Sequence, residues 1–308
     1  MQICYISDAK AGHQAQVMGL VSALSALVNV ELTTLTLSGN WLSRWQIANT
    51  ALPTPPDLII GAGHSTHIPV WLMGRRYRQA KTLIVMKPSL PLSWFDFVMM
   101  PEHDAKGSLS NHVLLTQGVM NRFVNEQRHQ ANKVLILLGG TNQRYAFDSQ
   151  KMLADIQTLI EHYQDINANV IMTDSRRTPT ELSNCLSKKN NIADLSTFQF
   201  FPVANTTPDW LNEQYQTASH VWVTADSVNM IFEAMTAGCQ VGLIELPKLK
   251  TDRVTNMVDS LIQSGKVTTL TDFHQGKPLP NTMPINEAKR AAQWLLSKLN
   301  VKLIQDIK

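Results

Sequence analysis

Short apolar runs recur along this chain, and between them lie longer stretches in which apolar residues fall three and four positions apart. That alternation predicts buried parallel strands separated by amphipathic helices. In the first half the expected strands are Gln2–Ile6, Val30–Leu35, Leu58–Gly61, Thr82–Met86, Phe97–Met100 and His112–Leu115. Helices are expected over Gln14–Leu27, where Val17, Leu20, Val21, Leu24 and Leu27 share a face, and over Thr66–Tyr77. The pattern then begins again. Strands are expected at Lys133–Leu138, Ala168–Thr173, Phe198–Phe201, His220–Thr224 and Gln240–Leu246, with a helix at Ser149–Tyr163 and others starting near Pro179, Pro208, Ser227 and Arg253. Two doubly wound α/β units in tandem follow, residues 1–125 and 126–285, joined in the polar stretch Asn121–Asn132.

Composition agrees with this division. The chain has 308 residues, of which 44% are hydrophobic and 17% charged, which suits a globular protein of two domains and excludes a disordered polyelectrolyte. No apolar run reaches the roughly 18 residues of a membrane span, and the opening MQICYISDAKAGH lacks a signal-peptide layout, so a cytoplasmic protein is expected. Cys4, Cys185 and Cys239 are too few and too scattered for a disulfide framework or a cysteine zinc site. The net charge of +3 has a location: residues 1–130 hold ten Lys and Arg against seven Asp and Glu, and the rest holds 17 against 17. That excess is too small for a nucleic-acid partner but fits a first half that meets something anionic.

Each half places a turn sequence after its first strand, SDAKAGHQAQ and GGTNQRYAFD. In a doubly wound sheet these loops lie at the carboxyl ends of strands, where ligands bind and helix-opening amides hold anions. Gly139, Gly140, Thr141 and Asn142 in the second loop are therefore candidates for a phosphate, although a plain turn has the same glycines. In VWVTADSVNMIFEAMTAG, Asp226 forms a turn, Ser227 can cap a helix that exposes the Val228 amide, and Glu233 lies where a carboxylate can accept ribose hydroxyls. An ordinary cap and a solvated glutamate are the alternative. SRRTP brings Ser175, Arg176 and Arg177 to the same edge, and guanidinium forks suit a diphosphate.

In the first half, His13 follows Gly12 with Asp8 five residues earlier. An imidazole oriented by a carboxylate is a general base for an attacking hydroxyl, or it simply closes the turn. GAGHSTHIP sets His64, Ser65 and Thr66 at a strand end on the acceptor side, and PEHD adds Glu102 and His103; neither has a metal-ligand spacing, and no metal or cofactor is expected. NWLSRWQI and WLMGRRYRQAK interleave tryptophan with arginine, which suits a core or a transient contact with a membrane surface or lipid-linked phosphate.

The strings SDAKAGHQAQ, PDLIIGAGHSTHIP, KPSLP, FDFVMMPEHD, LLGGTNQRYAFD, TDSRRTP and VTADSVNMIFEAMTAG closely resemble the Elm-type family, named for a plant protein of mitochondrial fission, in order from residue 3 to about 265. More distantly, the layout resembles GT-B glycosyltransferases, in particular the lipid-linked N-acetylglucosaminyltransferase of peptidoglycan synthesis. Gly12 and His13, then Gly139 and Gly140, then Ser227 to Glu233 stand in the matching order; Ala11 replaces a glycine, and Asp226 and Asn229 enlarge the second turn.

This resemblance implies two Rossmann-like domains, the first for an acceptor and the second for a nucleotide sugar, with Pro202 and Val203 beside the base and residues 286–308 returning to the first domain. It implies a metal-independent glycosyltransferase with His13 as base, Asp8 behind it and Glu233 on the ribose. The basic first half and the tryptophan–arginine stretches point to an anionic glycolipid, such as a lipopolysaccharide-core precursor, as its acceptor. A nucleotide-sugar epimerase of the same fold and a noncatalytic, membrane-recruited adaptor are the alternatives.

Overall fold

In the computed structural model of the chain, residues 1–38, 41–105, 107, 109–188, 197–281 and 285–301 are described, residues 41–44 and 103 by their backbone alone. The chain forms two compact units, Met1–Arg122 with Asn286–Lys308, and Phe123–Ile285. The first contains β1 (Gln2–Ser7), α1 (Ala11–Ser25), β2 (Glu31–Thr36), α2 (Trp41–Asn49), β3 (Leu58–Ala62), α3 (His67–Arg76), β4 (Lys81–Val85), β5 (Phe97–Pro101) and β6 (Val113–Thr116). The second contains β7 (Gln130–Leu137), α4 (Ser149–Asp165), β8 (Asn169–Thr173), α5 (Thr180–Ser187), β9 (Phe198–Phe201) and α6 (Pro208–Thr217), followed by β10 (Ala218–Thr224), α7 (Val228–Ala237), β11 (Gln240–Ile244), α8 (Arg253–Gln263), β12 (Thr268–Thr269) and α9 (Leu270–His274). α10 (Glu287–Leu299) belongs to the first unit.

All strand pairings within the two sheets are parallel, in the orders β2-β1-β3-β4-β5-β6 and β12-β11-β10-β7-β8-β9. Parallel strands covered on both faces must be apolar on both sides, which is why β3 is buried at every position and β1 at all but its first. In each sheet the winding reverses once: β2 and β3 flank β1 from opposite sides, and β8 and β10 do the same to β7. Such a reversal parts the loops at the strands' carboxyl ends and opens a crevice between them.

One face of the first sheet is covered by α1 and α10, where Val17, Leu20, Val21 and Leu24 meet Ala288, Ala291, Ala292, Leu295 and Leu296. The small alanines at helical spacing let the two helices approach closely. Glu287, itself buried, accepts from the Gln117 amide just beyond β6 at 3.1 Å, and Trp294 meets Phe97 edge-on. α2 and α3 cover the other face, through Ile47, Val70 and Met73.

Most boundaries agree with the apolar periodicity within a few residues. α1 begins at Ala11 rather than Gln14, because its first turn is solvent-facing and carries no apolar signal. α2 was not expected as a helix, and β12 is only two residues long. The side chains of Trp41, Leu42 and Arg44, part of the first tryptophan–arginine stretch, lie outside the described residues.

Candidate functional site

The first unit's reversal lies between β1 and β3. Asp8 follows β1, and His13 sits in the first turn of α1 with Nδ1 2.9 Å from Asp8 Oδ2; the two side chains are 19% and 4% exposed, His13 and Asp8 respectively. A nearly buried carboxylate therefore orients an imidazole that solvent still reaches. Asp8 also accepts from the Lys10 amide at 3.2 Å, which holds the loop against the start of α1. Gly63, after β3, is a residue of this site that sequence reasoning missed. Its φ is +86°, and a Cβ there would collide with the His13 ring and lie 2.8 Å from Asp8 Oδ2. A glycine thus lets the β3 loop close over the Asp8–His13 pair.

The other acceptor-side candidates divide. His64 is exposed in the short 3-10 turn His64–Thr66, and Ser65 is half-buried. Thr66 is corrected: it is fully buried, and its hydroxyl donates to the Gly63 carbonyl at 2.8 Å, so it shapes the loop rather than facing a ligand. Glu102 follows β5, three strands from β1 and so about 14 Å along the sheet edge, and it accepts from Gln117 Nε2 at 3.1 Å; it does not join the Asp8–His13 pair. The His103 side chain lies outside the described residues.

Gly12 is exposed, and a Cβ there would meet nothing within 4 Å. Gly12→Ala is therefore expected to raise stability slightly, by up to about 1 kcal/mol in a helix's first turn. Equilibrium unfolding checks this, and a marked loss of stability would show an unrecognised constraint.

His67 is buried near this site, its ring 5.7 Å from that of His64. The Ser89 amide donates to its Nδ1, which places the neutral ring's hydrogen on Nε2, an atom with no partner among the described residues. Burial, with the neighbouring His64 and His13, pushes its pKa down to about 4. As pH falls from the ordinary imidazole value toward 4, the unfolded chain takes a proton that the folded one refuses, so stability declines across that window and is unaffected above it. Unfolding curves across that range should show the decline, reduced in His67→Gln.

The second unit's reversal lies between β7 and β10, and Asp226 is its hub. Its carboxylate, with a side chain 0% exposed, is 2.8 Å from Arg177 Nη1 and accepts from the Gly140 amide at 3.1 Å, Asn142 Nδ2 at 3.3 Å and Thr224 Oγ1 at 2.7 Å. The Thr224 hydroxyl in turn accepts from the Gly139 amide at 2.7 Å. Three loops, after β7, β8 and β10, are tied together in this way. Gly139 and Gly140 are glycines because a Cβ would collide with the Asp226 carboxylate and with the Arg177 backbone. Loop packing requires them.

Several expectations are corrected here. Ser227 stands at the N-cap of α7, but its hydroxyl makes no capping bond; it accepts from Arg177 Nη2 at 3.1 Å and donates to Asp226 at 3.4 Å. The Ser227 amide donates to the Thr224 carbonyl and the Thr141 amide to the Arg177 carbonyl, both at 3.1 Å, so neither is available to an anion. Asn142 uses its side chain on Asp226 and on the Arg144 and Tyr145 amides. Ser175 donates to the Gly139 carbonyl at 2.9 Å. Val203 donates its amide to the buried Asp174 at 2.6 Å, and its carbonyl accepts from the Thr206 amide and hydroxyl. Its backbone is thus occupied before any base arrives, and the adjacent Pro202 has no N–H to offer.

What remains at the edge is the uncapped start of α7, with the Val228 amide, and the exposed Arg176. Glu233 is half-buried on α7, and Tyr215 Oη donates to its Oε2 at 3.2 Å. Burial first, and Glu233 second, raise the Tyr215 pKa well above the usual phenol value, so the hydroxyl keeps its proton and holds the carboxylate in place. Tyr215 lies on α6, and only the fold shows its link to Glu233.

Residues 11–299 match the family model described as Mitochondrial fission ELM1. A Rickettsia prowazekii (strain Madrid E) protein, RP120, is 22% identical, with 98% of this chain and 99% of its own length covered. The UDP-GlcNAc 2-epimerase of Methanocaldococcus jannaschii is similar in structure with a TM-score of 0.58 at 14% identity, covering 96% of this chain and 100% of that one. CalG4, the calicheamicin glycosyltransferase, has a TM-score of 0.51 at 10% identity, covering 96% and 94%. The likeness is one of fold: two Rossmann-like units in tandem, as in GT-B proteins.

Proposed function

We propose, from the premise that this chain belongs to the mitochondrial fission ELM1 family, that it is a glycosyltransferase moving a sugar from a nucleotide diphosphate to an acceptor hydroxyl. The observation that carries this reading is the Asp8–His13 pair, 2.9 Å apart at the first sheet's reversal. His13 takes the proton of the attacking hydroxyl through its solvent-reached face. Asp8 orients the ring and stabilises the imidazolium that forms.

The second unit binds the donor. Glu233, held by Tyr215, accepts from the ribose hydroxyls, while the diphosphate lies at the start of α7 with Arg176 beside it. Arginine and the helix start supply the positive charge, and the reaction needs no metal in this reading. The acceptor in this reading is an anionic glycolipid such as a lipopolysaccharide-core precursor; positions 1–130 as a whole carry ten basic against seven acidic residues, which favours an anionic partner for the first unit.

A thermal-shift screen of nucleotide diphosphates and their sugars tests the donor assignment. A ligand that binds the folded state raises Tm by mass action, so one base should shift Tm selectively and Glu233→Ala should abolish the shift. No shift and no hydrolysis across the panel would remove the proposal. Turnover of the nucleotide sugar without any acceptor would replace transfer with epimerisation.

A further inference from the structure

We propose that the first unit docks on an anionic membrane surface through a cavity at the amino edge of its sheet, which takes a phospholipid headgroup. A cavity of about 720 Å³ lies there, beside α3 and the short turn Leu92–Trp94; Trp71, Trp94, Arg75, Arg78, Lys81 and Asp96 line it. α3 runs back from the carboxyl end of β3 to the amino end of β4, so this cavity is at the opposite edge of the sheet from Asp8, His13 and Gly63. It is separate from the candidate acceptor site.

Its charge is one-sided. Asp96 is engaged by Lys81 at 3.0 Å and by the Thr82 amide and hydroxyl at 2.9 Å. Neither Arg75 nor Arg78 has a carboxylate partner among the described residues, so the lining carries two unbalanced guanidinium groups, whose forked donors match phosphate oxygens.

One of its two tryptophans faces water. Trp94 is 44% exposed and stacks on Trp71 with ring centroids 4.9 Å apart, and the Arg75 guanidinium lies 5.2 Å from the Trp71 ring. α2, packed on α3 over the same sheet face, carries a further exposed tryptophan, Trp45, 56% exposed. Indole combines a flat apolar body with one N–H donor and favours the boundary between acyl chains and headgroups. An exposed tryptophan beside arginines that have no carboxylate partner among the described residues fits that boundary better than it fits plain water. No helix among the described residues is long and apolar enough to cross a membrane, so the contact proposed is a peripheral one.

The full chain, without nucleotide sugar or acceptor, is sedimented with phosphatidylcholine vesicles and with vesicles that also contain phosphatidylglycerol; the result is therefore independent of the sugar-transfer reading. Binding is expected only to the anionic vesicles, weakening with salt and accompanied by a blue shift of tryptophan emission. Each of Arg75→Gln and Arg78→Gln should lower the partition coefficient roughly 5-fold, and the pair about 30-fold. Trp94→Ala, at an exposed position, should also weaken binding with circular dichroism unchanged. Lys289→Gln removes one charge from the exposed side of α10, on the other sheet face, and should change partition little. Equal effects of Lys289→Gln and Arg75→Gln would overturn the proposal, as would equal binding to neutral vesicles. Saturable binding of soluble glycerol phosphate without vesicle binding would overturn it too.

Discussion

Asp226→Ala is expected to lower the unfolding free energy by several kcal/mol, about 1–3 kcal/mol for each enclosed donor left without a partner. The loss is large because the Asp226 carboxylate satisfies donors from three loops at once: the Gly140 amide, Asn142 Nδ2, Thr224 Oγ1 and the Arg177 guanidinium. With the carboxylate gone, the enclosed donors lose their partner while Arg177, 43% exposed, recovers water. Asp226→Asn should cost less, since an amide oxygen of the same size still accepts from the Gly140 amide. Arg177→Ala should fall between neutral and the alanine variant, because the backbone and hydroxyl donors to Asp226 remain. Denaturant unfolding of the three variants checks the order, and an Asp226→Ala protein as stable as the parent would show that the three loops hold without it.

The second large effect is catalytic. His13→Ala is expected to reduce turnover of the proposed sugar-transfer reaction by roughly 10²–10⁴-fold, the range that a positioned general base supplies. Binding of the nucleotide sugar should be nearly unchanged, since Glu233, Arg176 and the start of α7 all lie in the other unit. Asp8→Asn should lower turnover in the same direction, because an amide cannot stabilise an imidazolium as a carboxylate does. Gly63→Ala should resemble His13→Ala, since the added methyl group would displace the His13 ring. Rates measured beside thermal shifts separate loss of chemistry from loss of binding. Wild-type function in His13→Ala and Glu233→Ala together would favour a noncatalytic adaptor.

Much of the architecture is legible as local periodicity. β9 occupies Phe198–Phe201, the same residues that its apolar run marks, and α4 starts at Ser149 as the spacing of Met152, Ile156, Leu159 and Ile160 requires. α2 is less legible because, among its described side chains, only Ile47 and Ala48 are buried, too few to set a helical period. At the sites, adjacency in the chain reveals Asp8 with His13 and Ser227 with Glu233. It does not reveal that Asp226 joins groups 84 and 86 positions away, or that Tyr215 holds Glu233.

By itself the sequence determined the alternation of strands and helices, its restart near residue 130, and the chemistry available after each strand. These follow from side-chain hydrophobicity at periods of two and 3.6, which each segment carries locally. Only the tertiary structure decided the strand orders, and with them which loops become neighbours at the two reversals. It also decided which polar groups remain for a ligand: folding engaged the Thr141, Ser227 and Val203 amides and left Arg176, the start of α7 and the exposed side of His13. A backbone amide has the same chemistry in every residue but proline. Whether it meets a carbonyl or a ligand depends on what long-range packing brings beside it.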